Sequence, residues 1–319
     1  MINWGFLGAG YIASQALAPA VHAASNSKLY AVASRDLTKA QKLSATKNYN
    51  SYQELIDDPL VDVVYINLPN HLHAKWSIAA LAAGKNVLCE KPFAMDLVQA
   101  RAMKDAAKES GKLLVEAVWA RWHPRFIRAV EIVKSGEIGQ LSSIESEFSF
   151  MAKLSGDYRN EVSMGGGALL DIGTYQVHLW SALTDINTGV EITSVDRNLA
   201  ESGIDLTTIV QAKIGKNLLV KATSSFERDP RQEITIRGTS GEITFTVGEA
   251  FTNWHKPSEL NITAGGNSRT EIFEPVDAYQ LMVESVSAQV SAKKAWLLPI
   301  PESLMVMDLL DQIRLWQKK

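Results

Sequence analysis

The sequence predicts an α/β fold with two domains: a doubly wound parallel sheet over residues 1–122, and an α+β domain with a mostly antiparallel, open sheet over residues 123–319. Two observations predict this division. A chain of 319 residues exceeds the size that a single core usually organises. In addition, the first third alternates short β-rich stretches with helical ones, whereas the remainder contains strand-like stretches that few helices separate.

The strands and helices of the first domain follow one another in alternation. Apolar, β-rich stretches predict strands at residues 2–7, 29–34, 61–68, 86–89 and 113–118. Helical patterns lie between them at residues 40–45, 71–83 and 96–110, and Gly84 and Gly111 stand where helices usually end. Such alternation is typical of parallel strands that have helices on both faces of the sheet.

The second domain begins with a helical stretch at residues 124–135, after which the residue pattern changes. Alternating polar and apolar residues predict strands at residues 142–148, 207–214, 218–226, 233–237 and 242–247. Helices are predicted at residues 166–183, 275–292 and 302–317, and the last two could pack back on the first domain. Because few helices separate the strands, we expect this sheet to be mostly antiparallel.

The composition excludes several classes of protein. The 32 basic residues nearly balance the 35 acidic ones, so no nucleic-acid surface is expected. No apolar stretch reaches the length of a membrane span, and no basic leader precedes the first strand, so we expect a cytoplasmic protein. The single cysteine, Cys89, fits a reducing compartment. The 6 histidines form no ligand spacing, and no metal site is predicted.

The first predicted strand leads directly into Gly8-Ala9-Gly10-Tyr11-Ile12-Ala13, which has the G-x-G-x-x-A pattern of dinucleotide-binding folds. Gly8 permits a tight turn, Gly10 lets a pyrophosphate approach the backbone, and the small Ala13 lets the helix pack closely on the strand. The helix then directs its first amides at the phosphates. The pattern predicts a Rossmann domain in which Gly8, Gly10, Tyr11 and Ile12 bind the cofactor.

The end of the second strand indicates which dinucleotide is bound. An NAD site usually has a carboxylate there for the ribose hydroxyls, whereas an arginine can pair with the 2′-phosphate of NADP. This chain has Ser34-Arg35 at that point, followed by Asp36. We therefore expect Ser34 and Arg35 to bind the phosphate, which favours NADP over NAD. Asp36 is interpreted as the N-cap of the next helix, and the alternative for Arg35 is a solvated charge.

The strand at residues 61–68 ends in Leu68-Pro69-Asn70-His71-Leu72-His73, at the carboxyl edge where such sheets bind ligands. Leu68, Asn70 and His73 are therefore candidate cofactor contacts, the last two to the nicotinamide ribose. The alternatives are that Asn70 caps the following helix and that His73 packs within it.

Glu90-Lys91-Pro92 ends the next strand and lies in the same predicted crevice. The proline restricts the backbone of Lys91 and so directs its side chain, although a lysine at a strand end is often a surface charge.

A glycine run, residues 165–167, opens the first helix after the domain boundary. Asp171, Tyr175 and His178 follow at spacings of four and three, which places them on one helical face. Asp171 and Tyr175 could form a structural hydrogen-bonded pair. The glycine run, however, allows a second backbone or a cofactor to approach the start of this helix closely.

These motifs together resemble the Gfo/Idh/MocA oxidoreductase family over nearly the whole chain. Tyr175, four residues after Asp171, differs from the inositol dehydrogenase pattern, which has histidine there. It resembles the branch that contains dimeric trans-dihydrodiol dehydrogenase, NADP-dependent D-xylose dehydrogenase and glucose–fructose oxidoreductase. The matching motifs, in the family's order, are Gly8-x-Gly10-x-x-Ala13, Pro69-Asn70-x-x-His73, Gly84-Lys85-x-Val87-Leu88-Cys89-Glu90-Lys91-Pro92, Glu116-Ala117-x-Trp119-x-Arg121, residues 165–175 and Gly238-Thr239-x-Gly241.

The resemblance implies that Lys91 is the catalytic lysine, that Tyr175 is the general acid/base and that Asp171 supports them. A nearby ammonium group stabilises a tyrosinate and lowers the tyrosine pKa, which suits this role. Glu90, Trp119 and Arg121 are expected to contact the cofactor.

Further substrate contacts are expected beside Lys91, Asp171 and Tyr175, and the alternative for them is packing and ion pairing between domains. For His178 a structural role is the alternative. The further candidates are Trp119, Arg121, His123, Arg159 and His178.

The resemblance implies an NADP-dependent oxidoreductase of a sugar or polyol, acting on a cyclic hemiacetal, a secondary alcohol or a ketone. A trans-1,2-dihydrodiol dehydrogenase is the alternative enzyme. A non-catalytic NADP-binding regulator is the alternative from another class, since repressors of galactose genes in yeasts resemble this family. The presence of both Lys91 and Tyr175 favours catalysis.

The family often dimerises through the open sheet of the second domain, and we expect a homodimer of that kind. The apolar area for this interface is expected from Ile144, Phe148, Val210, Leu218 and Val220.

Overall fold

The computed structural model describes residues 1–185, 188–246, 249–252 and 255–317. The chain divides into two compact units. The first unit comprises Met1–Trp122 and Asp277–Leu304, and the second comprises His123–Val276 and Met305–Lys319.

The first unit contains a six-stranded sheet in the order β3-β2-β1-β4-β5-β6, and all of its strand pairs are parallel. The chain changes direction across the sheet between β1 and β4, which is where doubly wound sheets bind their ligands. The predicted doubly wound parallel sheet is therefore confirmed. Its strands are β1 (Ile2–Leu7), β2 (Ser27–Ala33), β3 (Lys47–Tyr49), β4 (Val63–Ile66), β5 (Asn86–Glu90) and β6 (Leu114–Ala117).

The α-helices of the described ranges follow the predicted pattern with shifted ends, apart from a helix at Tyr52–Asp57 that was not predicted. Asp36 is the N-cap of α2, because its carboxylate accepts hydrogen bonds from the amides of Thr38 and Lys39; this interpretation is confirmed. The helices are α1 (Ala18–Ala23), α2 (Leu37–Gln41), α3 (Tyr52–Asp57), α4 (His73–Ala82), α5 (Leu97–Ser110), α6 (Pro124–Lys134), α7 (Thr174–Leu183), α8 (Ala278–Val290) and α9 (Ile300–Leu315).

Helix α8 packs within the first unit although it follows β1 by more than two hundred residues. The indole of Trp4 donates a hydrogen bond to Ser287 Oγ over 3.0 Å. The hydroxyls of Ser27 and Ser287 lie 2.7 Å apart. Since Trp4 is 0% exposed, this contact belongs to the core of the unit and ties α8 to β1 and β2.

The second unit contains an eight-stranded sheet in the order β14-β13-β12-β11-β7-β10-β9-β8. Only the pair of β7 and β10 is parallel among these strands, so the predicted mostly antiparallel sheet is confirmed. Residue 247 of the predicted strand 242–247 lies outside the described residues. The strands are β7 (Leu141–Ser149), β8 (Val190–Leu199), β9 (Asp205–Ile214), β10 (Leu218–Ser225), β11 (Arg231–Gly238), β12 (Gly241–Thr246), β13 (Ser258–Ala264) and β14 (Asn267–Phe273).

The face of this sheet that a helix covers is not the one expected from the sequence. Helix α7 covers one face, where Ser146 donates a hydrogen bond of 2.7 Å to Gln176. The five apolar residues expected at a dimer interface lie on this covered face and are at most 7% exposed, so that prediction is wrong for them. Alternation along a strand separates two faces but does not reveal which one the helices cover. The corrected residues are Ile144, Phe148, Val210, Leu218 and Val220.

The opposite face, which we call the outer face, carries charged residues on β7 and β11. Arg237 pairs with Glu145, and it lies 3.3 Å from Glu242. Arg231 lies 4.0 Å from Glu147. The outer face is therefore polar, with charges of both signs on neighbouring strands.

None of the helices in the described ranges combines the length and the apolar character needed to cross a membrane.

Candidate active site

The turn after β1 lies directly against the end of β4. Gly8 has a φ of 97°, and a Cβ there would stand 2.1 Å from the backbone oxygen of Asn67. A Cβ on Gly10 would stand 2.8 Å from Asn67 Oδ1. Only glycine fits at Gly8, because both its backbone conformation and the neighbouring carbonyl exclude a side chain.

The chain leaves this turn as a π-helical turn, Ala13–Leu17, before α1 begins. Ala13 is 0% exposed, whereas the side chain of Tyr11 is 75% exposed beside the turn. The first amides of such a segment have no partner within it and can bind a phosphate. A nicotinamide dinucleotide fits these residues, since the glycine turn, a helix start and the point where strand order reverses coincide.

At the end of β2, an arginine and not a carboxylate is available to a ligand. The carboxylate of Asp36 is engaged in capping α2, and its hydrogen bond from Thr38 lowers its pKa. Ser34 is buried, and its hydroxyl accepts a hydrogen bond of 3.1 Å from the amide of Asp36. Arg35 is exposed and lies beside the hydroxyl of Tyr52. This arrangement fits a ligand with a phosphate at that position.

His73 fastens the end of β4 to the segment after β5. Its Nδ1 lies 2.8 Å from the oxygen of Pro92, and its Nε2 lies 2.8 Å from the oxygen of Leu68. The ring is 0% exposed, and burial lowers its pKa. These contacts support the alternative that His73 packs within its helix.

Asn70 is 2% exposed and begins a short 3₁₀ turn, Asn70–Leu72. The N-cap of α4 is Leu72, so the alternative that Asn70 caps this helix is wrong.

Within the first unit, a chain of hydrogen bonds runs from Asn67, which lies against the glycine turn, to the backbone amide of Lys91. Asn67, which contacts Gly8 and Gly10, donates from Nδ2 to the hydroxyl of Tyr65 over 3.3 Å. Tyr65 in turn donates to Glu90 Oε1 over 2.6 Å.

Glu90 Oε2 accepts a hydrogen bond of 3.2 Å from the backbone amide of Lys91. Burial raises the pKa of Glu90 to about 7. The Lys91–Pro92 peptide bond is cis. Tyr65 and Asn67 were not predicted as site residues, because both look like ordinary residues at the end of a strand.

Trp119 and Arg121 lie in a 3₁₀ turn, Trp119–Trp122, that follows β6. The indole of Trp119 stacks on the ring of Tyr279, with 5.2 Å between centroids and 22° between planes. The guanidinium of Arg121 donates to Glu302 over 2.8 Å and lies 5.6 Å from the ring centroid of Trp296. Because these partners come from the end of the chain, no local pattern in the sequence indicates them.

In the second unit, His123 is the N-cap of α6. Its Nδ1 accepts a hydrogen bond of 3.1 Å from the amide of Arg125. Burial lowers the pKa of His123 to about 4, which keeps the ring neutral. The ring thus has a structural function at the start of the helix.

The glycine run before α7 admits a second backbone, which was one of the two alternatives. A Cβ on Gly166 would stand 2.3 Å from the backbone oxygen of Arg159, and Gly167 donates to that oxygen over 3.0 Å. Arg159 lies beside two carboxylates: its NH2 is 2.8 Å from Asp157 and its NH1 is 3.4 Å from Asp171. The hydrogen bond with Asp157 raises the pKa of Arg159.

Asp171 lies in a π-helical turn, Leu169–Gly173, that continues directly into α7, where Tyr175 is the second residue. The ring of Tyr175 is 6.1 Å from that of Phe148 and 6.2 Å from that of Phe251, measured between centroids. His178 is 1% exposed, which supports its structural alternative. The second unit thus brings Arg159, Asp171 and Tyr175 together around one helix start.

A metal centre was not expected. Among the residues that the structure describes, no group of three or more His, Cys, Asp or Glu side chains could hold a metal ion.

The fold and these residues define a class of protein, the oxidoreductases that use a nicotinamide dinucleotide. Residues 2–117 match the model of the oxidoreductase family with an NAD-binding Rossmann fold, and residues 126–244 match the GFO/IDH/MocA C-terminal domain.

Two relatives and one solved structure illustrate the similarity. D-xylose 1-dehydrogenase (NADP(+)) 2 of Haloferax volcanii is 32% identical over 316 residues, which cover 97% of this chain and 95% of the relative. Trans-1,2-dihydrobenzene-1,2-diol dehydrogenase of Mus musculus is 34% identical over 246 residues, which cover 75% of this chain and 73% of the relative. The structure of KijD10, a 3-ketoreductase from Actinomadura kijaniata in complex with NADP and TDP-benzene, matches with a TM-score of 0.90 at 25% identity, over 98% of this chain and 97% of that one.

The chain belongs to the Gfo/Idh/MocA oxidoreductase family. The predicted family is confirmed, and so is the prediction of an NAD(P)-dependent oxidoreductase.

Proposed function

We propose that this protein is an NADP-dependent oxidoreductase that transfers hydride between the nicotinamide and a CH–OH group of a sugar or polyol. The substrate carbon is that of a cyclic hemiacetal, a secondary alcohol or the corresponding ketone. The observation that carries the proposal is the hydrogen-bond chain from Asn67, which lies against the glycine turn, through Tyr65 and Glu90 to the backbone amide of Lys91. It fixes the backbone of Lys91 close to the turn that is proposed to receive a dinucleotide.

The choice of NADP rests on Ser34 and Arg35 at the end of β2. With Asp36 engaged as a helix cap, the available group is the guanidinium of Arg35, which suits a 2′-phosphate. The names of the xylose dehydrogenase and of the KijD10 complex both include NADP, which supports this choice. Gly8, Gly10, Tyr11 and Ile12 would hold the pyrophosphate.

A nicotinamide held by these residues would supply the acceptor or the donor of hydride for the substrate carbon. Tyr175 takes the hydroxyl proton during oxidation and gives it back during reduction. As the family resemblance implies, Lys91 would assist Tyr175 by stabilising negative charge on the substrate oxygen. Asp171, paired with Arg159, accepts hydrogen bonds from neighbouring substrate hydroxyls. Leu68, Asn70, Glu90, Trp119 and Arg121 shape the nicotinamide side of the site.

A trans-1,2-dihydrodiol dehydrogenase is the second candidate. The aromatic rings of Phe148 and Phe251 near Tyr175 favour it, because its substrate carries an apolar ring. The mouse relative of that name also matches 75% of the chain. A regulator without catalysis would need neither Lys91 nor Tyr175.

We further propose that the protein is a cytoplasmic homodimer that associates through the outer face of the eight-stranded sheet. Sedimentation that shows only a monomer at micromolar concentration would contradict the dimer.

The experiment that tests the function follows the absorbance of reduced nicotinamide with NADP and then with NAD. The panel contains aldoses, inositols and a cyclic trans-dihydrodiol. We expect turnover of a pyranose with NADP. Turnover of the dihydrodiol alone would establish the second candidate. Tight NADPH binding with no turnover across the panel would indicate a regulator or a reductase of a ketone outside the panel.

A further inference from the structure

The helix segment that carries Asp171 and Tyr175 begins on a carboxylate from another part of the second unit. Asp205 is the first residue of β9, and its Oδ2 accepts a hydrogen bond of 2.8 Å from the backbone amide of Leu169. Leu169 is the first residue of the π-helical turn that leads into α7. A carboxylate at this point satisfies one of the amides that a helix start leaves without a partner.

The same carboxylate requires the glycine run before the helix. Gly167 has a φ of 106°, and a Cβ there would stand 2.0 Å from Asp205 Oδ1. Asp205 Oδ2 therefore accepts a hydrogen bond from the amide of Leu169, and Oδ1 lies in close contact with Gly167. Any side chain at Gly167 would push Asp205 away from the start of the helix.

Asp205 itself is held in place. The hydroxyl of Thr208 donates to its Oδ2 over 2.7 Å. Burial raises the pKa of Asp205, while the hydrogen bonds from Thr208 and Leu169 and the charge of Arg197 oppose that rise. These partners favour the carboxylate, which is the form that accepts both hydrogen bonds.

The other attachment of this segment lies just beyond Tyr175. Gln176 donates to the backbone oxygen of Thr223 over 3.0 Å and to Ser224 Oγ over 2.8 Å, and it accepts the hydroxyl of Ser146 over 2.7 Å. Asp205 thus holds the segment before Asp171, and Gln176 holds it after Tyr175.

We infer that Asp205 is a positioning residue for the reaction, fixing the turn that carries Asp171 and the helix start that carries Tyr175. The inference rests on the proposed function, because it assumes that Tyr175 transfers the proton. Asp205 acts through Leu169 and the turn, and not by contact with the substrate.

The experiment compares Asp205→Ala and Asp205→Asn with the wild type, measuring kcat and the KM for NADP with a substrate found in the panel. Loss of the cap should lower kcat roughly 10- to 100-fold in the alanine variant, the usual effect of a small misplacement of a catalytic group. The asparagine variant should recover part of this loss, because its amide oxygen can still accept the Leu169 amide. The KM for NADP should stay within about twofold, since the residues proposed to bind the cofactor belong to the first unit.

The matched control is Asp196→Asn, which removes an exposed carboxylate from the neighbouring strand β8 and should leave kcat unchanged. If Asp205→Ala does not fold, the positioning role is tested by measuring kcat and the KM for NADP in Asp205→Asn and Thr208→Val. The second of these variants removes one of the two donors to Asp205 Oδ2. A kcat of wild-type size in the folded variants would overturn the inference, as would an equal rise in the KM for NADP.

Failure of this inference differs from failure of the proposed function. If Tyr175→Phe loses turnover and the Asp205 variants keep it, only the positioning role is overturned. If Tyr175→Phe keeps full turnover, the proposed acid/base is wrong, and the role of Asp205 falls with it.

Discussion

Tyr65 donates a hydrogen bond of 2.6 Å to Glu90 in the interior of the first unit, where Tyr65 is 0% exposed and Glu90 is 8% exposed. A carboxylate buried in this way loses hydration, and one phenol and one backbone amide replace it only in part. The consequence is a raised pKa of Glu90, about 7, at the residue directly before Lys91.

Glu90 should make the stability of the protein depend on pH in a defined direction. Its pKa is raised from 4.5 to about 7, so the folded state binds the proton more tightly than the unfolded state. Its contribution is then fully present below pH 4.5 and is lost as the pH rises through about 7. We expect the difference in free energy of unfolding between wild type and Glu90→Gln to change by roughly 3 kcal/mol across this interval, measured by urea denaturation at several pH values.

The control for this experiment is Glu109→Gln, which removes an exposed glutamate from α5. Its difference from wild type should stay constant over the same interval. A Glu90→Gln difference that is equally constant would contradict the raised pKa.

Replacing Lys91 by Met should remove turnover and leave cofactor binding largely intact. The methionine keeps much of the side chain's length but cannot stabilise charge on the substrate oxygen, so we expect kcat to fall about 100-fold or more. The affinity for NADPH, measured by fluorescence titration, should change little. Lys108→Met, at an exposed position on α5, should behave as wild type; undiminished turnover in Lys91→Met would refute the role of Lys91.

Replacing Arg35 by Ala should reduce the preference for NADP. Loss of charge-assisted hydrogen bonds to the 2′-phosphate should raise the KM for NADP about 10- to 100-fold. The KM for NAD, which has no such phosphate, should change little. Steady-state kinetics with both cofactors check this, with Arg101→Ala on α5 as the exposed control; parallel changes for the two cofactors would argue against phosphate binding by Arg35.

Gly8→Ala should impair both folding and cofactor binding. At Gly8 a positive φ combines with a Cβ position only 2.1 Å from the oxygen of Asn67. We expect a loss of about 1–3 kcal/mol of stability and weaker binding of NADPH. Gly136→Ala is the matched control, because Gly136 has a φ of 77° but nothing within 4 Å of its Cβ position. Equal losses in the two variants would show that the contact with Asn67 contributes nothing.

The sequence predicted most inner strands of the two sheets but missed β13 and the edge strands β3, β8 and β14. Strands such as β1 and β4 are apolar, because a parallel sheet buries both of its faces. The edge strands β3 and β14 carry mostly polar residues, and they were not predicted because their residues resemble those of loops. The assignment of faces in the second unit failed for Ile144 and Phe148, since strand alternation is the same whichever side is covered.

The residues of the candidate site were predictable where they form a local motif in the sequence. Contacts between residues that are far apart in the sequence were not. The glycine turn, Lys91 and Tyr175 stand in recognisable local patterns. In contrast, the pair of Arg121 and Glu302 spans 181 positions, and the contact of Asp205 with Leu169 spans 36. Pairings of this kind arise from the tertiary fold, so a single sequence without its structure does not reveal them.

The ion pairs on the outer face have a consequence for assembly. An interface made there would place Arg231, Arg237, Glu145 and Glu147 against a second copy of this face, so dissolved salt would weaken the contacts between charged groups. The dissociation constant of such a dimer should rise with ionic strength, whereas a dimer held by apolar area would be indifferent to it or strengthened. The outer face would also bind subunits with a different charge pattern more weakly, which would favour homodimers of this chain over heterodimers with relatives of the same fold.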